Sequence, residues 1–295
     1  MRNPRQSWTI IEKGLDGLIE TDGGFSLVRR GTMRLPDGEE IFVKIGNDDA
    51  TKKWANKEIA TYRFLQRNNY PYIPDLISSN DDETGFALEA LTAERGWDWT
   101  ATWDEQRLVS TLEAMDALAE LKPQDHELPL FTDNGLSVVD DGWTFLTDSP
   151  DVQQTLLAKL DESELSDSLT NLDFSVSAER SSQYRFTQDA LIHKDLRADN
   201  CAWHAGNGEV KVIDWNWAQL DDRRIDLAAF LVSVHNSGFE VLSQYESRLD
   251  SDALHWLAGF WFKEASQPIW PGGPEHLRDF QLRSGAVAYQ LARGL

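Results

Sequence analysis

From Leu191 to Trp215 the sequence reads LIHKDLRADNCAWHAGNGEVKVIDW, and three oxygen-bearing side chains, Asp195, Asn200 and Asp214, lie close to its short apolar runs. Carboxylate and amide oxygens are hard ligands suited to Mg²⁺, which usually keeps waters and substrate phosphates in its shell. The chemistry such a trio suggests is a divalent ion held among phosphates. Each residue alone is commonplace, so the elements that position them carry the weight.

Ala190-Leu191-Ile192 and Val210 to Ile213 flank a polar turn at Gly206-Asn207-Gly208, which predicts a β-hairpin with His193 to Asn200 and Asp214 at its ends. Upstream, Phe25 to Leu35 and Glu40 to Ile45 enclose the turn signal Pro36-Asp37-Gly38, a second predicted hairpin with Lys44 inside its second strand. From Thr51 to Gln66, Trp54, Ile59, Tyr62 and Leu65 recur near helical spacing, which places Glu58 on a helix. Gly85 to Ala90 reads as a further short strand. The first ninety residues are thus expected to be strands with one helix.

After Leu91 the pattern becomes helical. Asp104 to Lys122 is amphipathic and stops at Pro123. Ile225 to Val234, Phe239 to Leu249, Ala253 to Lys263 and Glu275 to Ala292 read as four more helices. Residues 123–186, with 13 acidic and 3 basic side chains, read as an acidic helical insertion with loops.

The 295 residues carry 50 acidic and 28 basic side chains, a formal charge of -22. Nucleic-acid binding draws on clustered cations, so it is disfavoured. A hydrophobic content of 41% with 26% charged residues is ordinary for a folded domain. No apolar run approaches the roughly 20 residues of a membrane span, and no signal-peptide pattern follows the N-terminus. The single Cys201 reads as a packed thiol in a reducing, cytoplasmic compartment. The charge is uneven: residues 1–89 sum to -3 and residues 90–295 to -19.

His193-x-Asp195-x-x-x-x-Asn200 followed by Asp214 resembles the catalytic loop and metal-binding Asp of the protein-kinase-like superfamily. Ile213-Asp214-Trp215 is similar to its aminoglycoside phosphotransferase-like branch, Lys44 and Glu58 match the superfamily's ion pair, and Ile225-Asp226-Leu227-Ala228 is similar to that branch's Asp-Leu-Ala. The resemblance implies an α+β, two-lobed fold. Residues 1–89 would form a small β-rich nucleotide-binding lobe, and residues 90–295 a larger, mainly helical catalytic and acceptor-binding lobe. Asp195 would take or orient the acceptor proton, Asn200 and Asp214 would hold Mg²⁺, and Lys44, oriented by Glu58, would contact the α- and β-phosphates of ATP. Arg197 would offset γ-phosphate charge, with His193 and Asp226 as structural support. The main chain of Glu89 and Leu91 would hold the purine, with GTP as an alternative.

The phosphate-covering loop departs from the protein-kinase pattern: Thr21-Asp22-Gly23-Gly24-Phe25-Ser26 offers two glycines, not three, and Ser26 is its candidate contact. The implied activity is phosphoryl transfer to a hydroxyl of a small molecule. The acidity of residues 90–295 favours a cationic acceptor of aminoglycoside type. A metabolic kinase for a sugar, choline-like compound or amino-alcohol, and a nucleotide-binding regulator without transfer, are the alternatives. Only 11 residues separate Asp214 from Asp226, too few for an activation segment of the kind that serves a protein substrate.

Overall fold

The turn at Pro36-Asp37-Gly38 sets the register of the N-terminal sheet. Gly38 takes a φ of +89°, a conformation open to glycine, and from that turn Arg34 pairs with Glu40 and Arg30 with Lys44. The structure is a computed structural model describing residues 4–21, 28–100, 102–124, 128, 141–163, 165, 169, 172–240, 242–269 and 276–294. The chain divides into two compact units, residues 1–136 with 190–220, and residues 137–189 with 221–295.

The first unit opens with helix α1 (Pro4–Gly14), then strands β1 (Ile19–Glu20), β2 (Arg29–Arg34) and β3 (Glu40–Ile45). Helix α2 (Asp49–Arg67) and strands β4 (Leu76–Ser79) and β5 (Gly85–Glu89) follow. Among the described residues these strands form one antiparallel sheet ordered β1-β2-β3-β5-β4. Because side chains alternate along a strand, β3 sends Ile41 and Val43 to one face and Phe42 and Lys44 to the other. On the first face, Trp8 and Ile11 of α1 pack with Met33, Ile41, Val43 and Ala87. This helix was not expected among the first ninety residues; its mixed apolar and charged sequence has few buried positions, and Trp8 and Ile11 anchor it.

The second face is covered by α2. A capping box starts that helix: the Asp48 carboxylate accepts from the Thr51 N–H at 2.8 Å, and the Thr51 hydroxyl oxygen accepts from the Asp48 N–H at 3.0 Å, an arrangement that stabilises a helix end by about 1 kcal/mol. Ile59, Tyr62 and Leu65 are buried, with Tyr62 against Phe86 of β5 at 5.9 Å between ring centres. Glu58 falls on the same buried face.

The remainder of the first unit is β6 (Trp97–Asp98), α3 (Glu105–Ala119), β7 (Ala190–Ile192), β8 (Cys201–His204) and β9 (Val210–Val212), with β10 (Gln219–Asp221) at its edge. The second hairpin differs from its sequence reading. The Gly206–Gly208 turn joins β8 to β9, not β7 to β9, with Cys201 opposite Val212; β8 also pairs with β6, and β7 pairs with β10. Four residues, Cys201-Ala202-Trp203-His204, gave no apolar run of strand length, which is why β8 was passed over. Cys201 is fully buried within it, its thiol pushed up by burial.

The second unit is helical: α4 (Gly142–Thr147), α5 (Pro150–Asp161), α6 (Phe174–Ser182), α7 (Arg223–Asn236), the single turn α8 (Leu242–Tyr245), α9 (Ser251–Ala265) and α10 (Leu277–Gly294). The helix expected over 239–249 is thus one α-turn followed by a 3₁₀ turn at Glu246–Arg248. Trp143, Leu146, Leu156 and Leu160 join Val232, Leu257, Phe262 and Tyr289 in one core. The acidic stretch 123–186 therefore supplies six of the 21 buried residues of that core, Leu169 and Tyr184 among them. Trp143 is fully buried, donates Nε1–H to the His255 carbonyl at 2.7 Å and stacks on the His255 ring at 5.1 Å.

Gly259 makes that seat possible, since a β-carbon there would fall inside the Trp143 indole. Gly259→Ala is expected to cost about 1–3 kcal/mol through overpacking, read as a lower urea midpoint; an unchanged midpoint would show that the indole can shift. Among the described residues no helix is long and apolar enough to cross a membrane.

Candidate active site

The first unit gathers most of the residues singled out by sequence. Lys44 extends from β3 and bridges two carboxylates: its Nζ lies 2.7 Å from Glu58 Oε2 of α2 and 2.6 Å from Asp214 Oδ1. Lys44 and Glu58 are buried and Asp214 is half-buried. Burial works against the Lys44 charge, but Asp214 and Glu58 outweigh it and hold the ammonium above the usual lysine range. Asp214 sits below the ordinary carboxylate range because Lys44 overcomes the effect of its burial. Burial pushes Glu58 up, opposed by Lys44 and by a hydrogen bond from the Trp215 main chain.

Asp214 directly follows the β8–β9 ladder. Its φ of +66° and ψ of +53° are left-handed, a conformation uncommon for a residue other than glycine. Outliers of this kind cluster at functional sites. The ladder's last bond, from the Ile213 N–H to the Asn200 carbonyl at 3.0 Å, puts Asn200 and Asp214 at the same open end of the hairpin.

His193 ties that end to the segment before it. Its ring Nε2 meets the Ile213 carbonyl at 2.9 Å, and its Nδ1 accepts the Asp195 N–H at 3.3 Å, which assigns the proton to Nε2. The ring is fully buried, edge-on to Trp215 at 4.6 Å, and burial lowers its pKa to about 4, so it is neutral near pH 7. Trp215 in turn donates its indole N–H to the Val212 carbonyl at 2.9 Å.

The Asn200 amide donates to the Asp195 carbonyl at 2.7 Å, which turns its side-chain oxygen the opposite way. With the Asp214 carboxylate this gives two hard oxygen donors. Among the described residues no group of three or more His, Cys, Asp or Glu side chains is placed to hold a metal ion by itself. One carboxylate and one amide oxygen, completed by phosphates and water, fit Mg²⁺. They do not fit a soft metal.

The Asp195 carboxylate lies 3.4 Å from Arg197 Nε, and Arg197 also reaches Asp199 at 3.1 Å. Burial pushes Asp195 up to about 7 from its ordinary 3.8, with Arg197 opposing. The folded state therefore binds this proton more tightly than the unfolded chain. The stabilisation is complete below about pH 4 and is lost as pH rises through 7. The side chain is 30% exposed, so only part of the shift counts. Asp195→Asn is expected to equal the wild type at pH 4 and to exceed it by on the order of 1–2 kcal/mol at pH 8; parallel urea stabilities across that range would contradict this.

The remaining sequence candidates fall as follows. Glu89 ends β5, its side chain 2.6 Å from Arg95, and the Leu91 carbonyl accepts from the Trp99 indole at 2.7 Å. Asp226 is buried in the first turn of α7, in the second unit. Ser26 lies outside the described residues. Two residues were missed. Arg30 stands directly across from Lys44 and on the same face, and its charge helps to lower Asp214; counting back from the Pro36-Asp37-Gly38 turn would have found it. Phe42, two residues before Lys44, shares that face by simple alternation.

The fold has well-covered relatives among solved structures. A choline kinase, LicA from Streptococcus pneumoniae, matches with a TM-score of 0.55 at 13% identity, over 96% of this chain and 99% of that one. An aminoglycoside phosphotransferase from Alicyclobacillus acidocaldarius matches at 0.54 and 11%, over 100% and 95%. The streptomycin–ATP–APH(2")-IIa ternary complex matches at 0.53 and 14%, over 98% and 99%. These likenesses show a protein-kinase-like fold, with a β-sheet N-terminal part and a helical C-terminal part. No curated protein matches the chain. The model of the phosphotransferase enzyme family, APH, matches residues 24–260, and the chain belongs to that family.

Proposed function

We propose that this chain transfers the γ-phosphoryl group of ATP to a hydroxyl of a small, cationic molecule, with residues 1–89 as nucleotide lobe and 90–295 as catalytic and acceptor lobe. The observation that carries the reading is Lys44 held between Glu58 and Asp214 in the unit that also holds Asp195 and Asn200. Phosphoryl transfer asks the protein mainly for positioning and charge neutralisation. Lys44, fixed by Glu58, meets the α- and β-phosphates, and Arg30 on the neighbouring strand adds a second cation. Phe42 offers its ring to the purine, and Ser26 contacts the phosphates from the covering loop. Asn200 and Asp214 hold Mg²⁺, which when bound offsets phosphate charge.

The acceptor oxygen attacks the γ-phosphorus, the bond to the ADP oxygen breaks, and the hydroxyl proton passes to Asp195. Burial raises Asp195 above the ordinary carboxylate range, which makes it a better proton acceptor near neutral pH than an exposed Asp. Arg197 offsets charge developing on the γ-phosphoryl oxygens. His193 fixes the loop, and Asp226 supports the helix that follows. The charge of -19 over residues 90–295 supports a cationic acceptor, because acidic surfaces concentrate cationic ligands. Incubation with ATP, Mg²⁺ and a panel of aminoglycosides, amino-alcohols and neutral sugars tests this: a phosphorylated cationic acceptor is expected, and consumption of neutral sugars alone would overturn the acceptor class.

A further inference from the structure

From Glu89, the last residue of β5, to Leu91, three of the six main-chain polar groups are already engaged. The Glu89 N–H donates to the Asp75 carbonyl at 2.9 Å. The Ala90 carbonyl accepts from Arg95 Nη1 at 2.9 Å, and the Leu91 carbonyl accepts from Trp99 Nε1 at 2.7 Å. Gly96, with a φ of +86°, folds the chain back so that Trp99 reaches Leu91. Of the remaining three groups, the Glu89 carbonyl and then the Leu91 N–H share one edge of the extended chain, and the Ala90 N–H belongs to the opposite edge.

One acceptor followed by one donor is the complement of adenine, which offers its N6 amino group and its N1 lone pair. Guanine reverses the pattern, with an O6 acceptor and N1–H and N2 amino donors. It needs an acceptor at the end of the segment, and that acceptor, the Leu91 carbonyl, already gives one of its two lone pairs to the Trp99 indole N–H at 2.7 Å. A base edge facing the wrong group leaves polar atoms unpaired on both sides.

We propose that Trp99 makes the nucleotide site selective for adenine over guanine by holding the Leu91 carbonyl. The inference rests on the reading of Glu89 and Leu91 as the purine contacts. Trp99 is 40% exposed, so replacing its ring by phenyl removes the donor at little cost to the core.

Calorimetric titration of the full chain with ATP and GTP in Mg²⁺ tests it. The wild type is expected to prefer ATP, and Trp99→Phe to narrow that preference by about tenfold, through tighter GTP binding. A wild type that binds both nucleotides equally, or a variant with an unchanged ratio, overturns the proposal. Binding of neither nucleotide by the wild type overturns instead the purine-site reading beneath it. A diaminopurine nucleoside triphosphate keeps the adenine pattern and adds an N2 amino donor aimed at Leu91, so it provides a test on the wild type alone. Affinity no greater than that of ATP is expected, and tighter binding would show the Leu91 carbonyl to be open.

Discussion

Asp195→Asn is expected to lower phosphoryl transfer about a thousandfold while nucleotide binding persists. The substitution keeps the shape and the Asp195 main-chain links, the carbonyl that accepts from Asn200 at 2.7 Å and the N–H that reaches His193 at 3.3 Å. The proton acceptor is lost, and with it the charge that faces Arg197 at 3.4 Å; positioned acid–base groups contribute about 10²–10⁴ in rate. The same variant gains stability at pH 8, where the wild-type carboxylate is ionised against its burial. Loss of rate together with a gain in stability is the signature of a strained functional group. Loss of both would mark Asp195 as structural. Steady-state transfer rates and urea unfolding at pH 8 on one preparation separate the two cases.

Lys44→Ala is the second large effect, and it acts on fold and rate together. The ammonium stands between Glu58, 2% exposed, and Asp214. Its removal leaves the buried Glu58 carboxylate facing the half-buried Asp214, at a cost of about 2–3 kcal/mol, below the range for a fully buried pair because Asp214 reaches solvent. Transfer is expected to fall by about 10²–10³, the range for loss of a preorganised charge-stabilising group. The double variant Lys44→Met with Glu58→Gln removes the more deeply buried of the two carboxylate charges and leaves the half-buried Asp214. It is expected to recover stability and not transfer; recovery of transfer as well would remove Lys44 from phosphate binding. Urea unfolding of the ligand-free protein reads the first effect, and phosphate transfer reads the second.

The chemistry-bearing residues were legible in the sequence where they lie inside strongly patterned elements. Lys44 follows from a strand after a Pro-Asp-Gly turn, Glu58 from a helix with apolar residues at helical spacing, and in the structure the two meet at 2.7 Å. What escaped depends on tertiary context. Strand β8 is four residues long, and the sequence reading gives β9 the wrong partner because Ala190-Leu191-Ile192 carries the stronger apolar signal. The core role of Trp143 was hidden in a stretch whose outward acidic residues obscure its period. Arg30 is invisible to composition but follows from the hairpin register. Engagement of the Leu91 carbonyl by Trp99 depends on the Gly96 turn bringing a side chain back eight residues, which no periodicity encodes.

The residues proposed to contact the nucleotide belong to the first unit, and the central claim can be tested without knowing the acceptor in advance. Mass spectrometry of a mixed panel of hydroxylated amines incubated with ATP, Mg²⁺ and the full chain asks whether an acceptor gains a phosphoryl group as ADP forms in equal amount. The expected result is one acceptor class modified at a hydroxyl, with no modification by Asp195→Asn. ADP released with free phosphate alone, or acceptor modification undiminished in Asp195→Asn, would contradict the assignment.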